Sequence, residues 1–97
     1  MDLGYNSALA SLELDENNGI NVLLISGCAF QSVDDVLECC PSLNELSCSG
    51  NRLTELDLTK HLSIRELHCD HNRLTRLLVP EGQYFGHLYC HSNQLGE

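Results

Sequence analysis

Four of the five histidines, His68, His71, His87 and His91, fall between residues 68 and 91, in company with Glu66, Asp70 and Tyr89. Imidazole nitrogens and carboxylate oxygens are both zinc-ligand types. A histidine beside a carboxylate can also share a hydrogen bond, charge-assisted once the ring is protonated. Six cysteines add thiols: Cys28, Cys39, Cys40, Cys48, Cys69 and Cys90. A structural zinc site usually takes paired ligand spacings such as C-x2-C, and none occurs here. A nucleophile needs a base and an orienting third group in a pocket, and nothing in the chain assembles that set. No enzyme activity and no cofactor are therefore expected.

Three of the cysteines, Cys48, Cys69 and Cys90, recur every 21 residues, and so does much else. Written in rows of 21 from Leu43, the chain places Leu43, Ile64 and Phe85 in one column. Leu46, Leu67 and Leu88 share another, as do Asn51, Asn72 and Asn93, and Leu53, Leu74 and Leu95. Leu56 falls with Leu77, and Leu58 with Val79. A weaker copy 23 residues upstream holds Ile20, Leu23, Ile25, Cys28, Phe30 and Val33. The columns spell L-x-x-L-x-C-x-x-N-x-L.

From about Ile20 onward this resembles the leucine-rich repeat family, in which the turn column is Asn or Cys. The unit of 21 with an inward Cys is similar to the short cysteine-containing repeats of bacterial leucine-rich repeat proteins. The unit 20–42 is more similar to the longer class with a helix on its convex side. The resemblance implies an α/β fold, a right-handed solenoid of short parallel strands, forming a single domain over 1–97. Its coils would span about 20–42, 43–63, 64–84 and 85–97, with 1–19 as an N-terminal cap. The family's stacked Asn ladder carries over to Asn51, Asn72 and Asn93.

The periodicity supports the same picture independently. Alternate side chains of a strand point to opposite faces, so Leu46 and Cys48 point one way and Glu45, Ser47 and Ser49 the other. One coil cannot bury its leucines, but stacked coils bury a continuous row. An Asn where the chain leaves the strand can donate to and accept from stranded backbone groups. Cys48, Cys69 and Cys90 then stack inward as small hydrophobes rather than pairing. Cys39 and Cys40 sit at a helix end, where one or both are expected at the surface.

Ser32-Val33-Asp34-Asp35 offers an N-cap residue and two first-turn carboxylates, and Pro41 a stop. This predicts a convex-side helix from Ser32 to about Cys39. Later coils lack that pattern, so turns or extended segments are expected there. Residues 11–15 alternate, and Asn-Gly follows before 20–26. That arrangement predicts a β-hairpin cap, with 11–15 antiparallel to 20–26.

The outward strand positions carry any function. Coil by coil they are Val22, Leu24, Ser26; Glu45, Ser47, Ser49; Glu66, His68, Asp70; and His87, Tyr89, His91. The columns make Glu66 a neighbour of His87, His68 of Tyr89, and Asp70 of His91, with His71 just beyond its strand. Three readings remain open: a solvated polar face, a protein- or peptide-binding surface, and a metal-binding or metal-sensing surface built from the histidines and carboxylates. The binding surface is preferred, with Glu45, Glu66, His68, Asp70, His71, His87, Tyr89 and His91 as contact residues and no metal ligand assigned. Solenoids present extended surfaces, and Tyr89 and His68 are amphipathic enough to anchor a partner.

Composition narrows the partner. Fourteen acidic residues against five basic ones give a formal charge of −9 over 97 residues. A nucleic-acid backbone or an anionic lipid surface needs the opposite balance. Eight carboxylates precede Ser47, and the first basic residue is Arg52. No stretch resembles a signal peptide or a membrane span. The expectation is a cytoplasmic protein, or a mature form such as an effector whose targeting segment has been removed. Beyond Leu95 only Gly96 and Glu97 remain. Either two copies meet at this last coil as a homodimer, or Tyr84 and Phe85 fold over it.

Overall fold

The computed structural model of the chain describes residues 1–15, 18–80 and 86–93. Four three-residue strands, β1 (Val22–Leu24), β2 (Glu45–Ser47), β4 (Glu66–His68) and β6 (His87–Tyr89), form one parallel sheet in the order β1-β2-β4-β6. Between them in sequence lie α1 (Asp34–Glu38), β3 (Glu55–Asp57) and β5 (Arg76–Leu78). β3 and β5 pair in parallel as a second, two-stranded sheet. The chain is thus a β-solenoid of roughly three turns, mostly parallel strands with a single helix of five residues among those described.

The register follows the repeat. Leu23 lies opposite Leu46, Leu46 opposite Leu67, and Leu67 opposite Leu88. A slip of one residue would turn the whole leucine row outward, so the alternation specifies the pairing strongly. In the second sheet Leu56 faces Leu77 by the same logic. Leu23, Leu46 and Leu67 from the first sheet meet Leu56 from β3 and Leu58 just beyond it in one core, with Ile25, Cys48, Cys69, Leu53 and Leu74 at the turns between. All ten are buried. Phe30, Val33, Val36 and Leu37 extend that core under α1. The expected turns or extended segments of the later coils are, in part, the strands β3 and β5.

The turns after β2, β4 and β6 share one construction. Asn72 Nδ2 donates to Cys48 O (2.9 Å) and Cys69 O (3.1 Å), while its Oδ1 accepts from Leu53 N (3.1 Å). Asn51 repeats this with Ile25 O, Cys48 O and Phe30 N, and Asn93 with Cys69 O, Cys90 O and Leu74 N. Every Asn therefore closes its own turn and the turn of the coil before. The preceding residue is left-handed each time: Gly50 (φ 67), His71 (φ 55) and Ser92 (φ 56), with Gly27 (φ 69) in the first coil.

The N-terminal cap differs from the expected hairpin. Residues 11–15 form no strand, although Leu12 and Leu14 turn inward as their alternation requires. The free edge of β1 is taken instead by the first five residues. Leu24 N donates to Met1 O (2.8 Å), Leu3 N to Leu24 O (2.7 Å), and Tyr5 N to Ser26 O (2.7 Å). Asp2 bridges Leu24 in parallel, so the cap runs with the sheet and not against it. With that edge satisfied, 11–15 has no ladder left to join there. Of the expected turn, Glu16 and Asn17 lie outside the described residues.

The helix is also shorter than expected. It covers Asp34–Glu38 rather than Ser32–Cys39, and its N-cap residue is Val33, with no side-chain cap. Ser32 Oγ stands 3.4 Å from Asp34 N, too long to hold the chain open one residue earlier. At the other end Leu88 is 45% exposed, unlike the leucines in register with it. Phe85, Tyr84 and Leu95, expected to pack there, lie outside the described residues.

Candidate functional site

The outer face of the four-stranded sheet brings the singled-out residues into three columns. Val22, Glu45, Glu66 and His87 form the first; Leu24, Ser47, His68 and Tyr89 the second. Backbone bonds carry the ladder past the strands, from Gly27 N to Ser49 O, Gly50 N to Asp70 O and His71 N to His91 O. Those bonds place Ser26, Ser49, Asp70 and His91 alongside one another as a third column.

One of the expected cross-strand pairs becomes something else, and another is found as expected. Glu66 lies in register with His87, but its carboxylate turns along its own strand and accepts from His68 Nε2 at 2.8 Å. His68, in register with Tyr89 as its column requires, stacks on it with ring centroids 4.6 Å apart and planes 17° from parallel. The His87 ring also stacks with Tyr89, its centroid 6.2 Å away and its plane 5° from parallel. The three rings make an aromatic strip across β4 and β6. Stacked pairs of this kind are worth about 0.5–1.5 kcal/mol beyond their buried area.

The turn beside this strip is polar and ordered. Ser49 Oγ donates to Asp70 Oδ1 at 2.6 Å. His71 Nδ1 donates to Asp70 Oδ2 at 2.7 Å, and His91 Nε2 stands 3.7 Å from the same oxygen. Partial burial alone would raise the Asp70 pKa. Hydrogen bonds from Ser49 and His71, aided by its own backbone N–H and by the His91 ring, outweigh it and hold the carboxyl below its ordinary value. Ser49 was not among the residues singled out for partner contact, although it lies on the outward face. Neither was the left-handed turn that aims His71 at Asp70. The signal was there: the residue before each Asn reads Gly50, His71, Ser92.

Among the described residues, two groups on this face bring three ligand-type atoms within 4.8 Å of one another: Asp70, His71 and His91, and Glu45, Glu66 and His68. The cysteines take no part in either. Cys48 and Cys69 are fully buried, Cys90 partly so, and all six are free thiols. Burial pushes the Cys48 thiol well above its ordinary pKa and the Cys69 thiol up to about 12. At the helix end Cys40 is buried and Cys39 only half so.

The opposite side carries a groove of about 340 Å³ between α1 and the β3–β5 sheet. His61, absent from the expected site, lines it and is buried. Its Nε2 donates to Leu37 O at 2.8 Å, while Nδ1 is buried without a hydrogen-bond partner. That bond pins α1 to the next coil, a structural role. Among the described residues no helix is long and apolar enough to cross a membrane. No family model, no curated protein and no solved structure matches this chain.

Proposed function

We propose that the domain is a non-enzymatic binding module of the leucine-rich repeat kind, engaging a protein or peptide through the outer face of the four-stranded sheet. The observation that carries this reading is the strip of His87, Tyr89 and His68 beside the carboxylates of Glu45 and Glu66. Tyr89 is 41% exposed, so its ring offers stacking area to a partner as well as to His68. Aromatic anchors beside partly buried polar groups are what interface hot spots are made of. A chain of net charge −9 with acidic residues on this face favours a basic segment, both in contact and in long-range steering. The residues 20–93 supply the spacing, the inward Cys column and the Asn turns that support the repeat-family reading.

Selection of random displayed peptides against the chain, in the presence of a chelator, tests this. Enriched peptides should be rich in Arg and Lys. They should lose at least about tenfold in affinity for a Tyr89→Ala, Glu66→Gln double variant, the size of a hot-spot effect. They should keep their affinity for Glu55→Gln, on the other sheet. Peptides that bind the double variant unchanged would place the binding surface elsewhere.

A further inference from the structure

We infer that Asp70, His71 and His91 form a site for a single divalent transition-metal ion of the zinc class. The ligand set is two imidazoles and one carboxylate, a combination that suits first-row ions such as zinc. Three protein ligands leave a fourth position open, and the exposed side chains of His71 and His91 put that position in solvent. Around a tetrahedral ion with bonds of about 2.0–2.1 Å, ligand atoms stand about 3.3 Å apart. The observed separations from Asp70 Oδ2 are 2.7 Å to His71 Nδ1 and 3.7 Å to His91 Nε2, on either side of that spacing. Two imidazoles bound to such an ion have ring centroids about 5 Å apart. Those of His71 and His91 are 5.1 Å apart, at 83° to each other.

Hydrogen bonds position the carboxylate for such a site. Ser49 holds Asp70 Oδ1, so Oδ2 alone is left to face the two rings. Such outer hydrogen bonds orient a ligating carboxylate. His91 Nε2, at 3.7 Å, is beyond hydrogen-bond reach of Asp70, and a shared ion would join them. His71 occupies a left-handed turn that the two preceding coils fill with Gly27 and Gly50. A side chain there is unfavourable for the backbone, and this one is aimed at Asp70. Binding moves the His71 ring proton from Nδ1 to Nε2, so neutral histidines bind without releasing a proton from the protein. The Glu45, Glu66 and His68 group has one imidazole and two carboxylates, and its histidine is held by Glu66, so it is the weaker competitor.

The test is zinc titration of the intact chain by calorimetry, with histidine NMR signals followed in parallel. One equivalent should bind and shift His71 and His91. His71→Gly, His91→Ala and Asp70→Asn should each weaken binding at least about tenfold. His71→Gly suits the left-handed turn, so its fold is preserved. His87→Ala and Glu66→Gln should leave the affinity within about twofold. Cobalt substitution should give tetrahedral visible bands without thiolate charge transfer. Unchanged affinity in His71→Gly, several weak equivalents, or a thiolate band would each overturn the site. Because peptide selection is run with chelator, failure of one proposal does not carry over to the other.

Discussion

The strands β4 and β6 carry nearly the same pattern, Glu-Leu-His and His-Leu-Tyr, and meet opposite fates. Leu67 is fully buried, whereas Leu88, directly in register with it, is 45% exposed. The difference is not in the strand but in its neighbours. Leu67 has β2 on one side and β6 on the other, while among the described residues Leu88 has only β4 beside it in the sheet order. A repeat motif therefore sets which way a side chain points. Burial, and with it stability, comes from stacking.

The largest effect should come from loading that contrast with a charge. Leu67→Asp buries an unpaired carboxylate in the middle of the row and should cost more than about 4 kcal/mol, enough to abolish folding. Leu88→Asp should cost less than about 1 kcal/mol, because its carboxylate stays in water. Thermal melts of equal midpoint for the two variants would break the comparison.

Next comes the Asn ladder. Asn72→Ala strands buried groups of two coils and should cost about 1–3 kcal/mol. Asn93→Ala, with the same three bonds in a less buried setting, should cost less than half of that. Denaturant titration of both variants resolves the difference.

The turn residues give a smaller effect with a change of sign. At Gly50 an added Cβ meets only ordinary contacts, the nearest at 3.6 Å from Gly27 N. Gly50→Ala should thus show the bare left-handed cost, about 1–2 kcal/mol. His71→Gly removes that cost and should be neutral or stabilising by up to about 1 kcal/mol in the absence of metal. Destabilisation of the metal-free protein by His71→Gly would mean that the His71–Asp70 hydrogen bond outweighs the backbone term.

The smallest effect is chemical. Cys48 and Cys69 should react with a thiol reagent only as fast as the fold opens, while Cys39 and the partly buried Cys90 react in the native state. The raised thiol pKa values also have a thermodynamic sign. Above the ordinary thiol value of about 8.5 the unfolded chain loses protons that folded Cys48 and Cys69 retain. Stability is therefore full below that value and falls as pH rises past it. A midpoint unchanged between pH 8 and pH 10 would remove the two cysteines from the core.

Strand positions, register and the leucine core were legible in the residues because side-chain alternation and a fixed period determine them. The Asn turns were legible for the same reason. The N-terminal cap was not, since Met1–Tyr5 has no periodic pattern and its place is decided by an unoccupied sheet edge. The alternation at 11–15 reported its inward residues and misreported its pairing. At the site, the neighbour columns were readable, but the hydrogen bonds were not. Glu66 chose His68 over His87, and Asp70 bonds His71 rather than His91, through χ angles and a positive φ that spacing does not encode. His61 was invisible for the complementary reason: nothing periodic marks a histidine that pins a single helix.

The Asn turns also give the molecule a direction in time. Asn72 belongs to one coil but satisfies Cys48 O and Leu53 N of the coil before it, and Asn93 serves Cys69 O and Leu74 N in turn. During synthesis from the N-terminus, each coil thus waits for its successor before its turn is closed. A ribosome stalled within the array would hold a last coil with orphaned carbonyls and amides, open to proteases and to other chains. Peeling from the opposite end orphans a side chain instead: without Ile25 O and Phe30 N, Asn51 keeps only the carbonyls of its own turn, Cys48 O and Ser49 O.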